Sequence, residues 1–119
     1  MNLFKWLTHT NSVHDAVLSL YKSGLASAMK HDQKRARDAF TAAIDMRDAP
    51  TDLRAMALYN RAMLYGSTNE FPKAIQDLNA VLAMAAAPAK VKAAARQKLD
   101  RMRRRTYMHT PRLQAGASS

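Results

Sequence analysis

Apolar residues recur along the chain at the spacing of an amphipathic α-helix. Residues three and four positions apart lie on one face of a helix, and several runs follow this rule. Short polar stretches at residues 30–33 and 66–70 interrupt the pattern. Because short connections place consecutive helices antiparallel, the pattern predicts helical hairpins. The two clearest apolar stripes are Val13, Val17, Leu20, Tyr21, Gly24 and Leu25, and Phe71, Ala74, Ile75, Leu78 and Leu82.

The sequence also repeats itself. When it is shifted so that Leu20-Tyr21 aligns with Leu58-Tyr59, the residues that follow align as well, and we call this shift the repeat period. At this period residues 20–46 match residues 58–84, mostly through conservative hydrophobic exchanges, and a third copy begins at Pro88 as the second does at Pro50. A period of roughly 20–50 residues is typical of repeat proteins, in which stacked units share one continuous core. We therefore predict an all-α fold, a short α-solenoid of antiparallel helical hairpins.

Several residues mark where the helices are predicted to begin. Ser12, followed three residues later by Asp15, has the form of a capping box and predicts that the first long helix starts at residue 13. Asn69 is predicted to cap the fourth helix, with Pro72 in its first turn. Two further prolines are each predicted to open a following helix: Pro50 and Pro88.

The predicted domain consists of about two repeats and a capping helix. Repeat one covers about residues 13–50, repeat two about 51–87, and the capping helix about 88–105. The last helix has only a narrow apolar stripe, which suits an end cap with a polar outer face. Residues 106–119 lose the helical periodicity and are predicted to form a flexible tail. The narrow stripe consists of Val91, Ala95, Leu99 and Met102.

An apolar segment, residues 1–12, precedes the first repeat. We expect it to pack over the exposed edge of that repeat, where it would supply a second cap. The alternatives are insertion into a membrane interface and docking in the groove of a partner. The apolar side chains of the segment are Leu3, Phe4, Trp6 and Leu7, beside Lys5.

Composition supports a single helical domain. Of the 119 residues, 48% are hydrophobic and 24% are charged, as in ordinary globular domains. Three Gly and four Pro are too few for the many turns of a β-sandwich or barrel. The absence of Cys excludes disulfides and thiolate metal sites. No apolar run reaches the roughly 18–20 residues of a membrane helix, so we expect a soluble, cytoplasmic protein.

Positive charge is concentrated at the C-terminal end. The formal net charge is +10, but residues 1–89 have ten Lys and Arg against eight acidic residues, whereas residues 90–119 have nine against one. Such a density of cations gives an alternative function, a binder of nucleic acid or an anionic surface. A solvated capping helix is favoured, because aromatic stacking residues do not alternate with the cations. The basic patch consists of Lys90, Lys92, Arg96, Arg103, Arg104 and Arg105.

The spacing of small and bulky residues resembles that of the tetratricopeptide repeat family. Ala62 resembles the small residue in the first helix of that repeat, and Ala74 and Leu78 resemble the small and bulky pair in its second helix. Gly24 and Ala36 in copy one have the same spacing as Ala62 and Ala74 in copy two. Further matches are Tyr59-Asn60-Arg61-Ala62, Tyr65, Phe71, Phe40 and Ala43.

This resemblance covers about residues 13–105 and implies an interaction module whose first helices line a concave, peptide-binding groove. Tyr and Met suit irregular partner surfaces, and basic residues suit an acidic end of the peptide. The partner is then a protein or peptide, and the alternative is a homodimer completed by the apolar N-terminus. Leu18 and Leu25 are interpreted as helix packing. The implied groove residues are Tyr21, Lys22, Met56, Tyr59, Asn60, Met63, Lys98 and Arg101.

The resemblance does not extend to the carboxylate clamp with which some family members bind the acidic tails of chaperones. Only Asn60 is retained of the five clamp residues, with Lys98 as a substitute charge. The other clamp positions hold Tyr21, Leu25 and Ala94.

No arrangement of residues in the sequence indicates an enzyme. The four His are scattered without the spacing of a shared metal site. Neither a Gly-rich phosphate loop nor a nucleophile elbow is found. We therefore predict no catalytic residue, no metal and no cofactor, and expect an adaptor or assembly factor.

Overall fold

Five α-helices and no strand make up the part of the chain that the computed structural model describes, residues 2–108, with side chains described for residues 12–106. Each helix packs against the next one in the chain. The first helix also contacts the third, and the third contacts the fifth. The fold is therefore a short α-solenoid of two helical hairpins closed by a fifth helix, as predicted. The helices are α1 (Asn2–Met29), α2 (Gln33–Asp45), α3 (Thr51–Ser67), α4 (Phe71–Ala83) and α5 (Ala89–Met108).

The repeat period of the sequence is also the period of the helices. The second helices of the hairpins, α2 and α4, have 13 residues each and begin at Gln33 and Phe71. The helices α3 and α5 begin at Thr51 and Ala89, each directly after a proline. Proline has a fixed φ and no N–H to leave unpaired, so it favours helix starts. The predicted helix starts at the two prolines are confirmed.

Both hairpins turn in the same way. His31 and Asn69 occupy equivalent positions of the two repeats, and both have left-handed backbone conformations, with φ of 60° and 62°. Each turn is a Schellman motif, in which backbone N–H groups beyond the helix bond to carbonyl groups in its last turn. The equivalent hydrogen bonds run from the Asp32 N–H to the Ser27 carbonyl oxygen (2.9 Å) and from the Glu70 N–H to the Tyr65 carbonyl oxygen (2.8 Å).

The predicted cap at Asn69 is wrong. Asn69 ends the turn after α3, in a left-handed conformation that Asn adopts more readily than most residues, and Glu70 directly precedes α4. Pro72 lies in the first turn of α4, as predicted. In repeat one the equivalent of Glu70 is Asp32, whose carboxylate caps α2 by accepting a hydrogen bond from the Arg35 N–H at 3.2 Å.

The first helix begins earlier than the capping-box pattern predicts. α1 starts at Asn2 rather than at residue 13, and it continues through Ser12. A Ser side chain can cap a helix, but it does not prevent the preceding residues from being helical, and residues 2–23 contain neither Gly nor Pro. The docking that we expect for the apolar side chains of residues 1–11 lies outside the described side chains.

The last helix extends beyond its predicted end, to Met108 instead of Arg105. Its predicted apolar stripe does pack against the preceding hairpin, since Ala95 and Leu99 are buried there. The remainder of the predicted tail, residues 109–119, lies outside the described residues. Within residues 2–108, no helix combines the length and the apolar character needed to span a bilayer.

Equivalent positions of the repeats supply the buried core. One cluster of buried residues joins α1, α2 and the start of α3, and a second joins α3, α4 and α5. Small residues let helix backbones approach closely, and bulky residues opposite them fill the remaining space. Five equivalent pairs, in which every residue is at most 1% exposed, are Val17 and Ala55, Ala36 and Ala74, Phe40 and Leu78, Ala43 and Val81, and Ala57 and Ala95.

The two hairpins differ at one contact between small and bulky residues. In the first hairpin Gly24 faces Phe40 so closely that a Cβ atom on residue 24 would lie 2.5 Å from the ring. The equivalent residues in the second hairpin are Ala62 and Leu78, which are buried in one cluster. Leu is smaller than Phe and leaves room for the Ala methyl group. The bulkier Phe40 is therefore paired with the smaller Gly24, and the smaller Leu78 with the larger Ala62.

The solenoid is charged at positions where a further helix would pack. Leu58 of α3 is buried in the cluster shared with α4, whereas its equivalent on α5, one repeat period later, is the exposed Arg96. At the other end, the exposed Asp15 of α1 is equivalent to the buried Leu53 of α3. Packing a further helix over either position would bury a charged side chain, which is costly without a partner.

A buried ion pair joins α3 to α4. Arg61 donates hydrogen bonds from Nε and a terminal nitrogen to the two carboxylate oxygens of Asp77, at 2.8 and 2.7 Å. Its other terminal nitrogen donates to the Thr41 hydroxyl on α2, at 3.1 Å. The hydrogen bonds to Asp77, which is only 5% exposed, raise the pKa of Arg61 above its ordinary value. This side chain therefore links three helices.

We expect Gly24→Ala to lower the free energy of unfolding by about 1–3 kcal/mol, because the new methyl group overlaps the Phe40 ring. Adding Phe40→Leu recreates the pair of the second hairpin and is expected to recover most of the loss. Chemical denaturation followed by circular dichroism measures both effects. The control is Gly66→Ala, whose methyl group meets only the flexible end of Met102, so its effect should be small. Additive losses in the double variant would contradict this account.

Removal of one partner of the buried ion pair is expected to be severe. Asp77→Ala leaves the Arg61 guanidinium, whose side chain is 17% exposed, without its carboxylate and should cost about 3 kcal/mol of stability, the low end for buried pairs. The joint replacement Arg61→Met and Asp77→Leu removes both charges and should cost less than Asp77→Ala alone. Thermal unfolding of the three variants tests this, and a double variant less stable than Asp77→Ala would contradict it.

Candidate peptide-binding clefts

Two clefts run along one face of α3. Met56, Tyr59, Asn60, Met63 and Gly66 share this face because they are three or four residues apart. The first three residues line one cleft and the last two line the other, and α5 contributes to both. Except for Lys22, the residues of the implied groove are therefore divided between two clefts instead of lining one continuous surface.

The first cleft, which we call the tyrosine cleft, lies among α1, α3 and α5 and has a volume of about 270 Å³. Tyr21 reaches it from α1, and its ring packs against Phe40 with a distance of 5.9 Å between the ring centroids. The ring is therefore held in place by the core. The cleft is lined by Tyr21, Met56, Tyr59, Asn60, Lys90, Val91 and Ala94.

A hydrogen bond between α1 and α3 fixes two polar groups at the tyrosine cleft. The side-chain nitrogen of Asn60 donates to the Tyr21 hydroxyl at 3.1 Å and to the Met56 carbonyl oxygen at 2.8 Å. Burial raises the pKa of Tyr21 above 10.0, against the smaller opposite effect of the hydrogen bond from Asn60. The hydroxyl is therefore a neutral group that is placed by its neighbours.

The second cleft, which we call the basic cleft, lies where α3 ends, α4 begins and α5 passes both, and its volume is about 540 Å³. Its apolar residues are Met63, Met102 and Phe71, which is 7% exposed. Four cations of α5 line one side of the cleft, and no acidic residue is among the lining residues. The lining residues are Met63, Gly66, Ser67, Phe71, Lys98, Arg101, Met102, Arg104 and Arg105.

The other predicted site residues are distributed over the surface. Lys22 lies away from both clefts, in a shallow hollow of α1 with Asp15, Leu18 and Ser19. Of the basic patch, Lys90 lines the tyrosine cleft and two arginines line the basic cleft. The members of the patch that line neither cleft are Lys92, Arg96 and Arg103.

Several lining residues were not predicted from the sequence. The sequence pattern assigns Val91 and Met102 only to packing, as members of the apolar stripe of the capping helix, yet each also borders a cleft. Phe71 was assigned to the second helix of a repeat, but as its first residue it also closes one end of the basic cleft. For Val91 and Met102, a position at either end of the narrow apolar stripe is the signal that could have identified them, whereas no local signal marks Phe71, which is buried.

No family model, no curated protein and no solved structure matches this chain.

We expect Tyr21→Phe to lower the free energy of unfolding by about 0.5–1.5 kcal/mol, since it removes the acceptor of the hydrogen bond from Asn60. The pKa of Tyr21 is higher in the folded state than in the unfolded state. The contribution of Tyr21 to folding stability is therefore intact below about pH 10, and it is lost as the pH rises through the pKa of the folded state. Subtracting the alkaline absorbance titration of the variant from that of the native protein isolates Tyr21. A midpoint at or below the ordinary tyrosine value would contradict the described burial.

Proposed function

We propose that this protein is a non-enzymatic interaction module, an adaptor or assembly factor, that binds a peptide segment of a partner protein in the tyrosine cleft. The observation that carries the proposal is the hydrogen-bonded pair of Tyr21 and Asn60, which are both among the residues that line the cleft. The proposed location is the cytoplasm.

Tyr21 and Asn60 together offer the groups that a peptide bond needs. The side-chain nitrogen of Asn60 is already used within the chain, by the Tyr21 hydroxyl and the Met56 carbonyl. Among the described residues, neither the amide oxygen of Asn60 nor the hydroxyl proton of Tyr21 has a hydrogen-bond partner. A backbone amide has one N–H donor and one C=O acceptor, so one peptide group can pair with both.

The walls of the tyrosine cleft suit the side chains of such a peptide. Met56, Tyr59 and Val91 are half-buried, so part of their apolar surface is accessible. Met adapts to irregular shapes, and Tyr offers a large contact area with few rotatable bonds. The volume of about 270 Å³ is just below the roughly 300–1,000 Å³ of typical small-molecule pockets. This space fits a short peptide stretch better than a bulky cofactor.

We further infer that the hairpins are tetratricopeptide-like repeats. Support comes from the recurrence of helix bounds at the repeat period and from the close approach of Gly24 to Phe40, as the family pattern implies. The resemblance places the peptide groove on the first helices of the repeats. The tyrosine cleft is bordered by α1, α3 and α5, which are the first helices here.

The proposal is tested by capturing partners from native lysate with the full-length protein and with a cleft variant, Met56→Ala with Tyr59→Ala. We expect a co-purifying protein that the native chain retains and that the cleft variant loses, since about 1.5–3 kcal/mol is lost with each buried apolar side chain. Mass spectrometry identifies the protein, and a synthetic peptide from it then gives the affinity.

The matched control is Met29→Ala. Met29 is 82% exposed at the end of α1 and is not a lining residue of either cleft, so its removal should leave capture unchanged. Circular dichroism checks that each variant keeps its helix content. The same set of captured proteins with all three chains would refute the assignment of the tyrosine cleft.

A further inference from the structure

The basic cleft differs from the tyrosine cleft in chemistry and in position. Lys98, Arg101 and Arg105 are three or four residues apart on α5, so they share one face of the helix. Across from them lie Met63, the end of α3 at Gly66 and Ser67, and Phe71 at the start of α4. The cleft is thus an apolar hollow with cations on one side, located at the turn edge of the second hairpin.

The cations of α5 are not neutralised within the described part of the chain. Lysine and arginine side chains elsewhere form ion pairs, such as Lys34 with Asp38 and Lys73 with Glu70. Among the described residues, no carboxylate lies within 4.0 Å of any of the eight Lys and Arg side chains of α5. Like charges three or four residues apart destabilise a helix. An anionic ligand would relieve this repulsion.

The segments at either end of the sequence, residues 1–14 and 101–119, offer no acidic side chain to the basic cleft. Residues 1–14 and 101–119 contain no Asp or Glu, while they contain six Lys and Arg. Either of these two segments, from the same chain or from a second copy, would therefore add positive charge to the cleft. Charge complementarity thus favours a different molecule as the occupant.

A peptide fits the basic cleft better than a nucleic acid does. The hollow is formed by Met63, Phe71 and Met102, which suit an apolar side chain. Residues 89–106 contain no aromatic residue, so the described side chains of α5 provide no platform on which bases could stack. The phosphate backbone of a nucleic acid would pair with the cations but would leave the apolar hollow unfilled.

We propose that the basic cleft is a second binding site, for an acidic peptide segment that carries one large apolar side chain. The apolar side chain occupies the hollow among the two methionines and Phe71, and flanking carboxylates pair with Lys98, Arg101 and Arg105. Because its lining residues are not those of the tyrosine cleft, each site can be changed by substitution without altering the lining of the other.

The test is a titration of a fluorescent acidic peptide with a central Phe into the full-length protein at physiological ionic strength. A matched peptide with Ser in place of Phe is expected to bind at least about tenfold more weakly, because it forgoes the burial of the ring. The variant Arg101→Glu with Arg105→Glu is expected to lose at least about tenfold in affinity for the Phe peptide.

The control variant is Arg96→Glu with Arg103→Glu, which makes the same change of net charge on exposed positions of α5 outside the cleft. We expect its affinity to fall by no more than about threefold, since salt screens charges that do not touch the peptide. Tyr59→Ala should leave the affinity unchanged, which separates this site from the tyrosine cleft.

Four results would overturn the proposal. The first is an equal loss of affinity in both charge-reversal variants, which indicates diffuse attraction only. The second is equal binding of the Phe and Ser peptides. The third is tighter binding of a single-stranded oligonucleotide of the same charge, which indicates a nucleic-acid site. The fourth is a large gain in affinity when residues 109–119 are deleted, which indicates that the chain's own terminus occupies the cleft.

Discussion

The close contact between a small residue on one helix and a bulky residue on the next is the constraint on which the rest of the fold depends. Gly24 admits the Phe40 ring between α1 and α2, and the smaller Leu78 is matched by Ala62 in the second hairpin. Because these pairs recur at the repeat period, the helices of both hairpins meet through equivalent contacts, and such hairpins stack into an array. The ion pair of Arg61 and Asp77 then fixes α4 on α3.

This mode of packing also creates the clefts. Each helix packs mainly on its neighbours in the chain, so the faces that α1, α3 and α5 turn toward one another meet less closely. The surface between α3 and α5 is divided into two clefts because a different helix borders it at each end. Tyr21 of α1 borders one cleft and Phe71 of α4 borders the other. The tyrosine cleft is polar and neutral at its pair of Tyr21 and Asn60, whereas the basic cleft is strongly cationic.

Local signals in the sequence predict the fold better than the site. Pro50 and Pro88 mark helix starts because proline restricts the backbone wherever it occurs. The helix start predicted from Ser12 is wrong because capping residues are also tolerated within helices. The residues that precede Ser12 decide whether a helix begins there. The pairing of Arg61 with Asp77, which is distant in the sequence, depends on the tertiary arrangement of α3 and α4. The division of the groove depends likewise on the side chains that α1 and α4 bring to it.

The central claim is that the fold is an open array of equivalent hairpins. Contacts between side chains, measured in solution, test this claim most directly. Nuclear Overhauser effects measured on the full-length protein should connect residue 24 with residue 40 and residue 62 with residue 78, at equivalent places in the two hairpins. None should connect α2 with α5, which α3 and α4 separate. A set of contacts between α2 and α5, as in a closed bundle, would contradict the account.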